Sequence, residues 1–281
     1  MAMFISSRIH VAILNNLSFY ILPIILVWLE KSDPMFEIKL DNAKYWRDCI
    51  SAVGALVDEG LFNITKEGIS LKAMDPSSIS MVSFFMPAKA FSKFTIDKNT
   101  GIGINLENLG KILSRTREDE ALVMKDSDSK LSMEFIGPGS RRRYKLQMID
   151  VKKSVEKEPN VEFDANVELS GDPLKDILKD ASLLSSYISF KAAKDQFTTS
   201  AHGDSGELEE LHSKDGAVVR KIDAGKNADA VFNLEFLENM VKSCPLGNSV
   251  SISMKSNEPL KLSYKIGDAD LSYFLAPYME D

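Results

Sequence analysis

The chain has 281 residues, 44% hydrophobic and 27% charged, with a formal net charge of −7 at pH 7. That is enough apolar material for one large or two ordinary packed domains, and it excludes global disorder. It also excludes a protein whose whole surface coats nucleic acid, although a local basic face is compatible with it.

Residues 1–34 differ from the rest. No side chain from Val11 to Leu29 is charged at neutral pH, and Ile21–Leu29 is nearly all apolar, a length approaching that of a membrane-spanning helix. Asn15, Asn16, Ser18 and Pro23 interrupt the run, and it ends in Glu-Lys-Ser-Asp-Pro with no small-residue cleavage site. A second methionine, Met35, opens a strand-like run to Leu40. The expectation is a misassigned start or dispensable tail, with a membrane anchor or a packed accessory helix as alternatives.

From Met35 onward the chain repeats itself. Leu40–Val57 reads as a helix opened by Asp41, with Ile50, Val53, Leu56 and Val57 on one face. Strand-like runs follow at Leu61–Thr65 and Ile69–Met74, joined by the turn Lys66-Glu67-Gly68. Asn105-Leu106-Glu107-Asn108-Leu109 leads into an amphipathic stretch, Gly110–Arg115, then into strands Ala121–Lys125 and Lys130–Phe135. Asp150–Asn160 is charged, holds one proline and has the composition of an exposed linker. The second half repeats the order. A helix, Leu174–Leu184, opens with Asp172 as N-cap and Pro173 at its first position. Strands Tyr187–Ala192 and Gln196–Ala201 come next. Asn233-Leu234-Glu235-Phe236-Leu237 then leads into Glu238–Ser243 and strands Ser249–Lys255 and Leu260–Ile266. Many short strands and few helices predict an α+β fold, two similar domains of antiparallel sheet with two helices on one face of each.

Chemistry-bearing motifs are sparse. Cys49 and Cys244 lie far apart in apolar stretches and read as buried free thiols. His10, His202 and His212 have no ligand spacing, and His202 and His212 are expected to face solvent. Gly101-Ile102-Gly103 lacks the third glycine and the Lys-Ser/Thr of a nucleotide loop, and no nucleophile elbow or metal-ligand set is present. The reading is of a binding protein with no catalytic residue, metal or cofactor.

Several segments, taken in order, resemble the proliferating cell nuclear antigen (PCNA) sliding clamp family, most closely its archaeal members. They are Lys66-Glu67-Gly68-Ile69, Ala73-Met74-Asp75-Pro76-Ser77, Asn105-Leu106 through Lys111-Ile112-Leu113, Leu146 to Val151, Glu258-Pro259-Leu260, and Leu275-Ala276-Pro277 before an acidic terminus. The resemblance spans residues 35–281. It implies clamp domains at 35–148 and 162–281, joined by a connecting loop at 149–161, and a trimeric ring around double-stranded DNA. Its implied partners are DNA polymerase and other proteins carrying PIP-box peptides, and an ATP-driven clamp loader of the replication factor C type. The implied place is the cytoplasm, in association with the nucleoid, in an archaeon, or the nucleus in a eukaryote. A subunit of a heterotrimeric or checkpoint-type clamp is the alternative within the fold, and a membrane-anchored adaptor the alternative outside it.

Three sets of residues follow. A channel needs cations that hold phosphate without reading bases: Lys44 and Arg47, Lys111 and Arg115 with Arg117 beyond, Lys175 and Lys179, and Lys242. By resemblance, a partner-peptide pocket uses Met74, Ile79, Pro259, Phe274, Leu275, Ala276 and Pro277, with Val151 and Val155 on the linker wall. Phe274 stands where the family usually has tyrosine. Also by resemblance, subunits meet by edge pairing of about Arg141–Gln147 with about Gly206–His212. Arg141, Arg142 and Arg143 would then face Glu207, Glu209 and Glu210, with Arg142 against Glu209 as the expected pair.

Overall fold

The computed structural model describes residues 34–151, 157–214 and 216–279. The readings placed on residues 1–33 therefore lie outside the described residues. Among those described, no helix is long and apolar enough to cross a membrane.

The first half runs β1 (Phe36–Leu40), α1 (Ala43–Val53), β2 (Glu59–Thr65), β3 (Gly68–Met74), β4 (Ser80–Pro87), β5 (Lys93–Ile96), β6 (Thr100–Asn105), α2 (Leu106–Leu113), β7 (Ala121–Ser127), β8 (Lys130–Gly137) and β9 (Ser140–Gln147). The second half repeats that order as β10 (Ala165–Ser170), α3 (Gly171–Ser182), β11 (Tyr187–Ala192), β12 (Gln196–Gly203), β13 (Gly206–Ser213), β14 (Val219–Ala224), β15 (Ala228–Asn233), α4 (Leu234–Lys242), β16 (Ser249–Met254), β17 (Leu260–Ile266) and β18 (Ala269–Leu275). The strands alternate buried and exposed residues, the pattern of sheets with one packed face.

The helix starts differ from those the sequence suggested. Asn42, not Asp41, caps α1, its side chain accepting from the Lys44 amide. Ser170 occupies the N-cap of α3, and Asp172 instead accepts from the Gly247 amide. The paired Asn-Leu-Glu motifs are themselves the starts of α2 and α4: Asn105 accepts from the Asn108 amide and Asn233 from the Phe236 amide.

Each half builds the same two sheets, all pairs antiparallel. The five-stranded sheet β5-β1-β7-β8-β9 corresponds to β14-β10-β16-β17-β18. The four-stranded set β4-β3-β2-β6 corresponds to β13-β12-β11-β15. Among the described residues one strand pair joins the halves: β18 lies beside β4 with Leu271 opposite Phe84 and Ser272 opposite Ser83, fusing two sets into a nine-stranded sheet. Among the described residues, the equivalent strands, β9 and β13, each pair on one side only.

The helices touch in the row α2–α1–α4–α3. Buried tyrosines tie that row to the fused sheet. The Tyr264 hydroxyl donates to the Met240 carbonyl at 2.9 Å, and the Tyr273 hydroxyl donates to the Ala52 carbonyl at 3.1 Å. On the rim, the Tyr45 hydroxyl accepts from the Asp268 and Ala269 amides in the β17–β18 turn. The Tyr273 and Tyr45 bonds cross between the halves, so the junction is polar as well as apolar.

Candidate functional site

The helix row carries the predicted cations, and most are already paired. Lys44 sits 3.1 Å from Glu118, Arg47 2.7 Å from Asp48, Lys111 2.6 Å from Glu107 and Lys179 3.5 Å from Asp176. Exposed pairs of this kind contribute little stability and exchange readily with a phosphate. Among the described residues, Arg115 and Lys242 are exposed and make no ion pair within 4 Å. Lys175 is used differently: its ammonium donates to the Cys244 carbonyl at 2.7 Å, just beyond the end of α4, and sits 3.5 Å from Asp172. It steadies a helix end first. Lys175, Lys179 and Lys242 nevertheless line one groove between α3 and α4, with Glu238 and Asn239.

The pocket residues come together on the fused sheet through strand register. Met74 and Phe274 both lie opposite Met81, on either side of β4, and the Ala276 amide donates to the Ile79 carbonyl at 3.0 Å. Asp75 organises the β3–β4 turn beneath them. Its carboxylate accepts from the Ser77 amide and hydroxyl and, at 2.5 Å, from the Ser80 amide. Burial pushes the Asp75 carboxyl up, but these donors outweigh it and hold it below the usual carboxylate range. The turn leaves Met74 38% and Ile79 42% exposed. Pro259, Ala276 and Pro277 are half-buried, and Phe274 is 4% exposed with the Lys261 ammonium 5.3 Å from its ring centroid. Leu275 is fully buried and supports the sheet from within.

The linker wall departs from expectation. Val151 packs over Gly103 on β6, two strands away from β3, where a methyl on Gly103 would collide with the Ile149 carbonyl. Val155 lies outside the described residues. The residue that sequence reasoning missed is Glu158. It accepts from the Ser83 hydroxyl at 2.8 Å and lies 3.4 Å from Lys72 and 3.7 Å from Lys261. Burial raises its carboxyl, and the Ser83 hydroxyl and two lysines more than offset that. One linker end is thus pinned over β6 and the other over β3, β4 and β17. Nothing in a lone Glu-Pro dipeptide signals this; only sheet register brings Lys72, Ser83 and Lys261 together.

The two predicted edge strands alternate cleanly. On β9, Arg141, Arg143, Lys145 and Gln147 are exposed while Arg142, Tyr144 and Leu146 turn inward; on β13, Glu207, Glu209 and Leu211 are exposed while Leu208, Glu210 and His212 turn inward. Arg141 and Arg143 reach Glu134 on β8 at 3.7 and 2.9 Å. Arg142 is held by Glu120, 2% exposed, through Nε at 3.2 Å and Nη2 at 2.5 Å; Nη2 also donates to the Arg115 carbonyl at 3.1 Å. Arg142 thus turns inward on its sheet, while Glu209, with which it was expected to pair, turns outward on its own. Burial pushes the Glu120 carboxyl up, but the Arg117 amide and the Arg142 guanidinium hold it below the usual range. His212 does not face solvent as expected: it turns inward and stacks on Phe197, 6.4 Å between centroids. His202 is exposed.

The cysteines are free and buried. Burial pushes the Cys49 thiol up to about 12 and the Cys244 thiol up to about 11, so neither is a nucleophile near neutral pH.

Family comparison fits this duplicated geometry. The model of the PCNA N-terminal domain matches residues 35–157, and that of the PCNA C-terminal domain matches residues 157–279. The chain belongs to the proliferating cell nuclear antigen family. It is a DNA sliding clamp, a processivity factor without a catalytic centre of its own. A "DNA polymerase sliding clamp" of Thermococcus gammatolerans is 33% identical over 248 residues, covering 88% of this chain and 99% of that one. One of Pyrococcus abyssi is 32% identical over 247 residues, with coverages of 88% and 99%. The crystal structure of PCNA from Thermococcus kodakaraensis superposes with a TM-score of 0.82 at 25% identity, covering 86% of this chain and 100% of that one.

Proposed function

We propose that three copies of this chain close head to tail through β9 and β13 into a ring whose channel, lined by the helix row, encircles double-stranded DNA. The observation that carries this is the duplicated topology. Inside one chain, the end strand of a five-stranded set (β18) pairs with the end strand of a four-stranded set (β4). β9 and β13 are the equivalents of β18 and β4, and each has a side left unpaired among the described residues. A second chain supplies the missing neighbour, and repeating the step generates a closed ring without leaving an open edge.

In this reading residues 35–148 and 162–281 are the two clamp domains and 149–161 the connecting loop. Arg115, Lys242 and the readily exchanged Lys44, Arg47, Lys111 and Lys179 contact phosphates, which supports sliding because screened contacts release at low cost. Partner peptides of DNA polymerase and other PIP-box proteins seat apolar anchors on Met74, Ile79, Pro259, Ala276 and Pro277. A separate ATP-driven loader opens the ring. The protein works as a DNA-associated one.

The test is topological. Full-length protein loaded by a replication factor C type loader and ATP is expected to remain on nicked circular DNA and to run off once the circle is linearised. Retention on linear DNA, or a solution mass of one subunit by light scattering at all concentrations, overturns the ring.

A further inference from the structure

We infer that the ring junction has a specific register in which Arg142 of one subunit, already held by its own Glu120, receives Glu210 of the next subunit. The inference rests on the head-to-tail reading above and goes beyond it by naming the pairs.

The two repeats can be aligned by strand pairing alone. From the capping asparagines, Asn105 lies opposite Glu59 and Asn233 opposite Tyr187. Four residues along those strands, Asn63 lies opposite Ser70 and Lys191 opposite Thr198. Ser70 in turn lies opposite Phe85, and Thr198 opposite Leu211. Phe85 and Leu211 are therefore equivalent, and both are exposed large apolar residues. The hairpins β8–β9 and β17–β18 close through Gly137 opposite Ser140 and Ile266 opposite Ala269. That makes Arg141 equivalent to Asp270, Arg142 to Leu271, Arg143 to Ser272 and Tyr144 to Tyr273. The inward and outward faces agree at all four positions.

Within the chain, Asp270 lies opposite Phe85, Leu271 opposite Phe84 and Ser272 opposite Ser83. Carrying that register to the open edges sets Arg141 opposite Leu211, Arg142 opposite Glu210, Arg143 opposite Glu209, Tyr144 opposite Leu208 and Lys145 opposite Glu207. Every charged pair is of opposite sign, and a shift of one residue along the strand would turn each side chain onto the wrong face.

A second observation stands apart from the symmetry. Glu210 Oε1 is buried and finds no hydrogen-bond partner among the described residues. Its other oxygen is 3.6 Å from His212 Nε2, which also lacks a hydrogen-bond partner there. A buried carboxylate oxygen left unsatisfied is costly unless a donor arrives. Arg142 has one to spare. Its Nε and Nη2 are taken by Glu120 and the Arg115 carbonyl, while Nη1 has only a long 3.5 Å contact to the Tyr144 hydroxyl. Five N–H groups and three firm bonds leave Nη1 for the incoming acid. The geometry yields an acid–arginine–acid triad spanning two subunits, with Glu120 and Glu210 flanking one guanidinium.

Disulfide trapping in the full-length protein tests the register. Arg143→Cys combined with Glu209→Cys, both at exposed positions, is expected to give covalently linked trimers under mild oxidation; Lys145→Cys with Glu209→Cys, two residues out of register, is expected to give few. Cys49 and Cys244 are buried with raised pKa values and do not compete. Glu210→Gln is expected to raise the concentration at which trimers dissociate by about tenfold. A mass of three subunits with the displaced pair linking instead, or with neither pair linking, overturns the register and leaves the ring intact. Unlinked monomer in every variant and in the parent chain overturns the ring reading itself.

Discussion

The junction inside the chain and the proposed junction between chains use equivalent strands but opposite chemistry. At the inward positions the internal junction sets Leu271 against Phe84, both buried; the open edges carry Arg142 and Glu210 there. At the outward positions Ser272 faces Ser83 inside, whereas Arg143 and Glu209 stand on the open edges. The difference has a physical reason. An internal pair never meets water once the chain has folded, so apolar side chains serve it best. An edge that exists unpaired before assembly would aggregate if it were apolar, and charge on it blocks wrong neighbours while selecting a complementary one.

The comparison breaks most visibly at Glu120, the internal partner of the edge arginine. Glu120→Ala strands the Arg142 guanidinium, frees the Arg117 amide and is expected to cost about 3–5 kcal/mol in denaturant unfolding. Because the folded carboxyl lies below its unfolded value, its stabilisation is present above the unfolded carboxylate pKa and is lost as pH falls through the folded one. Glu120→Gln should accordingly flatten the acid side of the stability profile. A variant as stable and as acid-sensitive as the parent would show that the pair contributes nothing.

Salt sharpens the contrast next. Raising ionic strength from about 0.1 to about 1 M shortens the screening length from ~10 to ~3 Å, so trimers held by Arg143–Glu209 and Lys145–Glu207 should dissociate at higher protein concentration. Unfolding of the internal junction, whose inward pair is apolar and whose outward serine pair is uncharged, should change far less. Light scattering and denaturant melts on the same samples separate the two. The smallest effect belongs to His212. His212→Phe removes a buried nitrogen without a hydrogen-bond partner among the described residues and keeps the ring stacked on Phe197, so unfolding stability should stay within about 1 kcal/mol of the parent. A much larger loss would mean that the imidazole has a polar role.

Much of this was legible in one dimension. The doubled Asn-Leu-Glu motif marks the repeat, although the sequence pattern puts the helical stretch after it and the structure starts each helix within it, on the capping asparagine. Family resemblance marked Arg141–Gln147 and Gly206–His212 as edge strands, but their alternation of inward and outward residues came only with the structure, since Arg141-Arg142-Arg143 and Glu209-Glu210 give no polar–apolar period. The Met74-Asp75-Pro76-Ser77 turn is local too, its carboxylate bonding amides two and five residues on. Other roles needed neighbours that no spacing rule supplies. Asp41 and Asp172 looked like caps, but Asn42 and Ser170 hold those places. Lys175 reads as one more channel cation until Cys244 is placed beside it, 69 residues away in sequence. Glu158 lies 75 residues from Ser83 and bonds to it.

What the sequence determined by itself is therefore the repeat and the element types, which follow from periodicity and from contacts a few residues apart; which charged strands form the edges came from family resemblance. Tertiary structure decided which edges fuse within the chain, which face Arg142 and Glu210 occupy, and where the linker is pinned. Those outcomes depend on strand register, and register is set by the simultaneous burial of whole sheet faces.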